Sequence, residues 1–199
     1  MEHKKHYQIT EFCHRFLADH IKKGGCCIDA TCGNGNDTEF LCRLAGPSGK
    51  VYGFDIQKAA VERTKERLAR AGYEDRAELY CAGHEHMAEY VREKADVIMF
   101  NFGYLPGGDH AVATHPDTSL RAVRQGMELL KKGGVMSLCI YSGGDTGYEE
   151  RDALMEYLKD LEPSKWLVIA CSYYNRKNDP PLPVFVIRLS EEESAASQY

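Results

Sequence analysis

The stretch Asp29-Ala-Thr-Cys-Gly-Asn-Gly-Asn-Asp-Thr38 lies between a short apolar run, 26–28, and a helical pattern that begins near residue 37. A strand, a glycine-containing turn and a helix in that order are typical of cofactor sites in α/β proteins. Glycine is needed in such a turn because a side chain would block the approach of a ligand and resist the required backbone dihedrals. The stretch therefore predicts a cofactor-binding loop built around Gly33 and Gly35.

A carboxylate further along the chain supports this prediction. The apolar run Val51-Tyr-Gly-Phe54 ends in Asp55, about 20 residues after Gly35, which is the separation at which Rossmann-type folds place an acid on ribose hydroxyls. Capping of the following helix is the alternative role for Asp55. Gln57 is expected either to bond near the ribose or to cap that helix. His84, after the third predicted strand, is expected either to flank an adenine or to act as the N-cap of a helix.

The residues of the loop also indicate which cofactor it holds. A dinucleotide site would carry a third glycine where Thr38 stands, and Asp29 and Asp37 at the ends of the loop would repel a pyrophosphate. Two carboxylates suit a ligand that carries an ammonium and a sulfonium, which describes S-adenosylmethionine and disfavours a nicotinamide oxidoreductase. The methionine portion is expected to face Asn34, Asn36 and Asp37. The full predicted cofactor-binding set is Asp29, Gly33, Asn34, Gly35, Asn36, Asp37, Thr38, Asp55, Gln57 and His84.

Composition narrows the class of protein. The 199 residues are 43% hydrophobic, which predicts a single domain over 1–189 with a sizeable core, followed by an acidic disordered tail over 190–199. No apolar stretch approaches the length of a membrane span and no secretory signal is evident, so we expect a cytoplasmic protein that has no membrane partner. None of the eight cysteines forms a C-x-x-C pair, which predicts buried free thiols and no metal site. Cys32 is expected to face the sheet rather than to act as a nucleophile.

The charge of the chain limits its nucleic-acid partners. A net charge of −5 is not typical of a protein that binds long nucleic acid through charge alone, so no DNA partner is expected. Basic residues are nevertheless bunched, as at Lys131-Lys132 and Arg176-Lys177. Such runs are usually solvated surface, but a basic face on an acidic protein would suit a compact RNA.

Strand and helix patterns alternate along most of the chain. This alternation predicts an α/β fold with the architecture of Rossmann-like class I methyltransferases: a seven-stranded, mostly parallel sheet, a C-terminal antiparallel hairpin and helices on both faces. The predicted strands are 26–31, 50–55, 77–82, 95–101, 135–141, 165–173 and 183–189. The predicted helices are 9–22, 37–45, 58–71, 85–93, 118–131 and 149–161.

The methyl acceptor is expected at the end of the fourth strand. The segment Asn101-Phe-Gly-Tyr-Leu-Pro-Gly-Gly-Asp109 has the layout of the [DNS]-P-P-[YF] motif of amino-group methyltransferases, although Phe102-Gly103 replaces the two prolines. In that motif an Asn or Asp side chain and a backbone carbonyl accept hydrogen bonds from an NH₂ group and so orient its lone pair. Asn101 is therefore a predicted catalytic residue. Tyr104 is expected either to stack on a base or to form a wall of the acceptor site. Asp109 is expected either to bind or deprotonate the acceptor amine or to stabilise a turn.

Two further segments at strand ends have compositions that suit the lining of a substrate-binding site. Tyr141 begins an aromatic, glycine-rich segment, and the loop of the last hairpin places aromatics, amides and cations together over 173–181. Aromatics beside cations suit a flipped-out, single-stranded base, and a purely structural loop is the alternative. The predicted substrate-binding residues are Tyr141, Asn175, Arg176 and Asn178.

Four sequence blocks follow one another along the chain: 29–38, 54–57, 101–109 and 175–181. Their combination in this order is a far more specific signal than any single block. In these blocks the chain resembles the tRNA 5-aminomethyl-2-thiouridine methyltransferase family, whose small bacterial members have long been called rRNA methylases. The resemblance implies N-methylation of the 5-aminomethyl group of a wobble uridine, with S-adenosylmethionine as cofactor and a tRNA anticodon stem-loop as partner. Methylation of another RNA base or of a small amine, a cofactor-binding module without turnover, and a homodimer all stay open.

Overall fold

The computed structural model describes residues 8–102, 115–142, 147–176 and 180–190. Seven strands lie in these ranges: β1 Cys26–Asp29, β2 Lys50–Asp55, β3 Ala77–Cys81, β4 Ala95–Phe102, β5 Leu130–Ile140, β6 Trp166–Ala170 and β7 Leu182–Arg188. The α-helices are α1 Ile9–Leu17, α2 Asn36–Ala45, α3 Lys58–Ala71, α4 Met87–Tyr90, α5 Pro116–Leu129 and α6 Gly147–Lys159. The predicted tail over 190–199 lies outside the described residues except for Ser190.

The strands form one sheet in the order β3-β2-β1-β4-β5-β7-β6. The pairs from β3 through β5 are parallel, whereas β7 is antiparallel to both β5 and β6. The predicted fold class is therefore confirmed. Because the direction of winding reverses between β1 and β4, the carboxyl ends of these two strands border the crevice where open α/β sheets bind ligands.

Helices cover both faces of the sheet, since successive strand side chains point to opposite sides. One apolar cluster includes Ile28 and Phe100 and packs against α4, α5 and α6. The other includes Cys27 and Phe185 and packs against α1, α2 and α3. The central strands are buried on both faces, which explains why they read as continuous apolar runs in the sequence.

The first helix is shorter than the predicted 9–22, because α1 ends at Leu17 and a 3-10 turn follows over 18–20. Two contacts hold α1 on the sheet. The ring of Phe16 stacks on that of Phe185 in β7 with centroids 3.9 Å apart, and Cys13 Sγ lies 3.5 Å from Cys139 Sγ in β5. This docking carries His14 to the beginning of α2, where its ring stacks on Phe40.

Two other elements differ from their predicted form. The predicted helix 85–93 is a 3-10 turn over 84–86 followed by the one-turn helix α4. The side chain of Gln125 accepts the N–H of Ala88 and donates to the carbonyl of Glu85, so these two backbone groups are bonded to α5 instead. The second element is the fifth strand. It begins at Leu130 rather than at 135, because Leu130 already pairs with Ala95 before a bulge.

Two properties predicted from composition are visible in the described part of the chain. None of its helices is long and apolar enough to cross a membrane. The cysteines are free, and most of them are buried, as predicted; Cys81 is the exposed exception, because it ends β3 at the edge of the sheet.

Candidate active site

The loop between β1 and α2 owes its shape to two glycines. Gly33 and Gly35 both have left-handed backbone conformations, with φ of 55° and 77°. A Cβ atom on Gly35 would also lie 3.0 Å from the Cα atom of Thr64 in α3, which is too close for a side chain. Both the dihedral angle and the close packing therefore require glycine at position 35.

Helix α3 holds the backbone of this loop from the side. Thr64 Oγ1 donates to the carbonyl of Gly33 at 3.5 Å, and Arg67 Nε donates to the carbonyl of Asn34 at 2.8 Å. The same guanidinium pairs with Glu39 in α2 at 2.9 Å. Two consecutive loop carbonyls are thus bonded to α3, and Arg67 ties the loop to the helices on both sides of it.

Asp55 connects the glycine loop with the end of β2. Its Oδ2 accepts the N–H of Gly33 at 3.0 Å, and its Oδ1 accepts the N–H of Gln57 at 2.8 Å. The side chain of Gln57 makes no capping bond at the start of α3. Because Asp55 is half-buried and each carboxylate oxygen has more than one lone pair, it can still accept hydrogen bonds from a diol.

Asp29 and Thr38 lie beneath the loop, and both are fully buried. Thr38 Oγ1 donates to Asp29 Oδ2 at 2.6 Å, and the N–H of Thr31 donates to Asp29 Oδ1 at 3.2 Å. Burial, with the neighbouring Asp37 carboxylate as a second cause, raises the pKa of Asp29 above its ordinary value. These two residues therefore support the loop from below, and Asp29 adds less negative charge to the site than its sequence position suggests.

The structure brings Asp37 and Asn101, from the predicted cofactor and acceptor sets, into direct contact. Asn101 Nδ2 donates to Asp37 Oδ2 at 2.7 Å, and Asp37 Oδ1 lies 2.6 Å from Nε2 of His14. The backbone N–H of Asn101 donates to Thr31 Oγ1 at 2.8 Å. Asn36, in contrast, is exposed at the start of α2.

His84 is buried with only 8% of its surface exposed. Its ring meets the rings of Phe100 and Phe102 edge-on, with centroids 5.9 Å away in both cases. Burial in this aromatic setting lowers the pKa of His84. Gly83, rather than His84, is the residue that precedes the 3-10 turn, and the adenine-flanking role of His84 stays a prediction.

A cleft of about 350 Å³ lies between α6 and the connection from β6 to β7. Arg176, a predicted substrate-binding residue, lines it, and Asn175 is exposed on the same turn. Tyr141 is half-buried and directly precedes Ser142, which is in the lining. The other polar and aromatic lining residues are Arg151, Ser172, Tyr173 and Tyr174. Tyr104, Asp109 and Asn178 lie outside the described residues.

Several residues of the site were not predicted from the sequence. His14 and Thr31 had no distinguishing pattern, because their partners are far away in the chain. Thr64 did have a distinguishing pattern, because it lies between Ala60 and Leu68 in a stripe of buried residues. A buried polar side chain at such a position needs a hydrogen-bond partner. Arg67 and Arg151 belong to ordinary charged helix faces.

The geometry of the loop and of Asp55 fits S-adenosylmethionine, and solved structures agree. A protein from Clostridium thermocellum described as a "putative rRNA-methylase" is 40% identical to this chain with a TM-score of 0.89, and the match covers 91% of this chain and 97% of that one. SMU.1697c, a methyltransferase from Streptococcus mutans solved in complex with S-adenosylhomocysteine, is 36% identical with a TM-score of 0.84 over 92% and 98% of the two chains. The fold and the site thus define an S-adenosylmethionine-dependent methyltransferase.

Sequence comparison shows which methyltransferase family this is. Residues 51–187 match the family model described as "Putative rRNA methylase". Over 195 residues the chain is 38% identical to the chloroplastic tRNA (mnm(5)s(2)U34)-methyltransferase of Arabidopsis thaliana, covering 93% of this chain and 70% of that protein. The chain belongs to this family, as the four sequence blocks predicted.

Proposed function

We propose that this methyltransferase acts on tRNA and converts the 5-aminomethyl group of the wobble uridine into the 5-methylaminomethyl form. The observation that carries the proposal is the 38% identity to a tRNA (mnm(5)s(2)U34)-methyltransferase over 93% of this chain. The site supports it independently, because Asn101 has the position and the chemistry of an amine-orienting residue.

On the cofactor side, the glycine loop and Asp55 hold the ligand. Asp55 would accept hydrogen bonds from the ribose hydroxyls while its two backbone contacts keep it in place. Asn34 lies on the loop and Asn36 begins α2, and both are proposed to face the methionine portion. When bound, S-adenosylmethionine supplies a methyl group that leaves its sulfonium sulfur for the acceptor nitrogen.

On the acceptor side, the oxygen of the Asn101 carboxamide accepts a hydrogen bond from the amine. This contact points the nitrogen lone pair at the incoming methyl group, which is catalysis by orientation. Attack requires a lone pair, so the amine reacts in its neutral form. Tyr104 and Asp109, which follow Asn101 in the sequence, are the proposed base-stacking and amine-binding residues of the same segment.

The cleft beside α6 has the chemistry of a single-stranded RNA site. Arg151 and Arg176 offer cations to phosphate groups, and Tyr173 and Tyr174 offer aromatic faces to bases. Tyr174 is fully exposed, as a stacking platform should be. A nucleotide next to the wobble uridine of an anticodon loop would fit this arrangement.

The test is a methyl-transfer assay with total RNA from cells that lack this protein, followed by mass spectrometry of the digested nucleosides. We expect loss of 5-aminomethyl-2-thiouridine and an equal gain of its 5-methylaminomethyl form. Asn101→Ala should turn over about 10²-fold more slowly, because the contact to the acceptor amine is lost together with the bond to Asp37. It should still bind the cofactor, because the glycine loop and its contacts with Asp55 are unchanged.

Two other outcomes would contradict the proposed acceptor or its geometry. Methyl groups found in rRNA nucleosides but not in tRNA would identify a different base as the acceptor. Wild-type turnover in Asn101→Ala would contradict the proposed acceptor geometry, even if tRNA is the substrate.

A further inference from the structure

Three side chains from separate elements form a continuous hydrogen-bonded row at the active site. His14 in α1 contacts Oδ1 of Asp37 at 2.6 Å, and Asn101 at the end of β4 donates to Oδ2 of the same carboxylate at 2.7 Å. The side chains of His14 and Asp37 are only 18% and 8% exposed. Water therefore competes weakly for these bonds, and both oxygens of Asp37 are used.

The chemistry of Asp37 decides which way the amide of Asn101 faces. A carboxylate has no hydrogen to donate, so only the NH₂ group of a neighbouring carboxamide can bond to it. The Nδ2 atom of Asn101 must therefore face Asp37, and its Oδ1 must lie on the opposite side of the carboxamide. Thr31 holds the backbone of Asn101 at the same time, so both ends of the residue are constrained.

His14 in turn constrains Asp37. Its ring lies parallel to the ring of Phe40, with an angle of 2° and centroids 3.9 Å apart. Phe40 comes one helical turn after Asp37, so the stacked imidazole is held over the same face of α2. A donated hydrogen bond from Nε2 then fixes the rotation of the carboxylate and keeps the second oxygen directed at Asn101.

We propose that His14 and Asp37 are positioning residues that hold the amide of Asn101 with its oxygen toward the acceptor amine. The inference rests on the proposed function in one respect, namely that Asn101 is the residue that receives the amine. Without the carboxylate the amide could rotate by half a turn and donate from its NH₂ group to the lone pair of the neutral amine, which would occupy the electron pair that attack requires. Of the two orientations of the Asn101 amide, His14 and Asp37 thus select the one in which Oδ1 faces the acceptor amine.

The test compares variants that separate the ring of His14 from its hydrogen bond. His14→Phe keeps an aromatic ring on Phe40 but removes the donor, and it should lower kcat by about 10-fold or more. His14→Gln keeps an N–H donor at a similar reach and should recover most of that loss. Asp37→Ala removes the acceptor and should lower kcat by about 10²-fold. The matched control is His20→Phe, because His20 stacks on Phe16 in the next turn of the same segment and should keep full activity.

A double mutant supplies a result that a merely structural role would not give. If His14 acts through Asn101, then adding His14→Phe to Asn101→Ala should cause no further loss of kcat, because the amide to be oriented is already absent. A structural role would lower kcat by the same factor in both backgrounds. The dissociation constant of S-adenosylhomocysteine, measured by calorimetry, should stay within about twofold of wild type in each His14 variant if the cofactor site is undisturbed.

Failure of this inference is distinguishable from failure of the proposed function. Wild-type conversion of tRNA together with full activity of His14→Phe would overturn the positioning role and leave the tRNA reaction standing. Methylation of another nucleoside by the wild type would overturn the tRNA reaction, and the same variants would still test the row on that acceptor. Loss of cofactor affinity that accounts for the lost turnover would also overturn the positioning role.

Discussion

At the residue scale, Asp55 combines a structural role that the structure shows with the ribose-binding role that we propose for it. It joins the glycine loop to the start of α3, because its two oxygens accept N–H groups from Gly33 and Gln57. The ribose-binding role and the capping role, which were alternatives in the sequence, are therefore compatible. The same carboxylate that organises the loop is the one that would accept the ribose hydroxyls.

We accordingly expect Asp55→Ala to raise the dissociation constant of S-adenosylmethionine by about 100-fold or more, since a hydrogen-bonded charge and the shape of the loop are both lost. Isothermal titration calorimetry measures this directly. Asn101→Ala is the control, because it removes the bond to Asp37 but leaves the glycine loop and its contacts with Asp55 in place. Equal affinities for wild type and Asp55→Ala would contradict the assignment of the ribose site.

Asp29 gives a prediction about pH. Its pKa is raised by burial above the ordinary value of 3.8, so the folded state binds a proton more tightly than the unfolded state does. The free energy of unfolding should therefore fall as pH rises from about 4 through the raised pKa, by up to about 1.4 kcal/mol per pH unit. In Asp29→Asn this contribution is absent. Urea unfolding at several pH values measures the free energy of unfolding of both proteins. The difference between wild type and Asp29→Asn should shrink or reverse as pH rises. A difference that does not change with pH would contradict a contribution of the Asp29 pKa to stability.

At the element scale, α3 acts as a brace for the cofactor loop. Its Thr64 and Arg67 bond the carbonyls of Gly33 and Asn34. A flexible glycine loop loses much conformational freedom when it binds a ligand, and a brace reduces that cost because the loop is already ordered.

Removal of this brace should therefore weaken cofactor binding. We expect Arg67→Ala to raise the dissociation constant of S-adenosylhomocysteine by about 5- to 20-fold, equivalent to roughly 1–2 kcal/mol for a charged hydrogen bond to a carbonyl. Arg70→Ala is the matched control, since Arg70 lies on the same helix with its side chain 78% exposed and, among the described residues, bonds to Glu66 of that helix. Similar effects of the two substitutions would argue against a specific role for Arg67.

The elements differ in how well the sequence predicted them. The strand–loop–helix unit around Gly33 and the alternation of strands and helices were predictable, because apolar runs and glycine turns are local patterns. The row formed by His14, Asp37 and Asn101 was not, since its bonds join residues 23 and 64 positions apart. The early start of β5 at Leu130 was missed for a similar reason: it depends on pairing with Ala95 on another strand.

At the scale of the whole molecule, the proposed function requires an acidic chain to bind a polyanion, which it can do only through a local surface. Arg151 and Arg176 line the cleft beside α6, and Arg151 is held there by a bond from Nη1 to Ser142 Oγ at 3.4 Å. With a net charge of −5, long-range attraction cannot supply the affinity. If tRNA is the substrate, as proposed, its affinity depends on a few cations in direct contact with phosphates.

For this reason Arg176→Ala should weaken tRNA binding severalfold and reduce the slope of log K against log salt concentration by about 1. Filter binding at several salt concentrations measures both effects. Lys132→Ala removes an equal charge near the start of β5, at the other end of that strand from the cleft residue Ser142, and should change neither. An unchanged salt slope in Arg176→Ala would place the phosphate contacts elsewhere.

The order of the strands also has a consequence for the protein as it is being made. A nascent chain that has left the ribosome as far as α3 already contains the glycine loop, Asp55 and the brace formed by Arg67. Asn101 is synthesised later, and β4 must pair beside β1 before its amide can reach Asp37. In each new molecule, the residues proposed to hold the methyl donor are therefore synthesised before the residue proposed to align the acceptor.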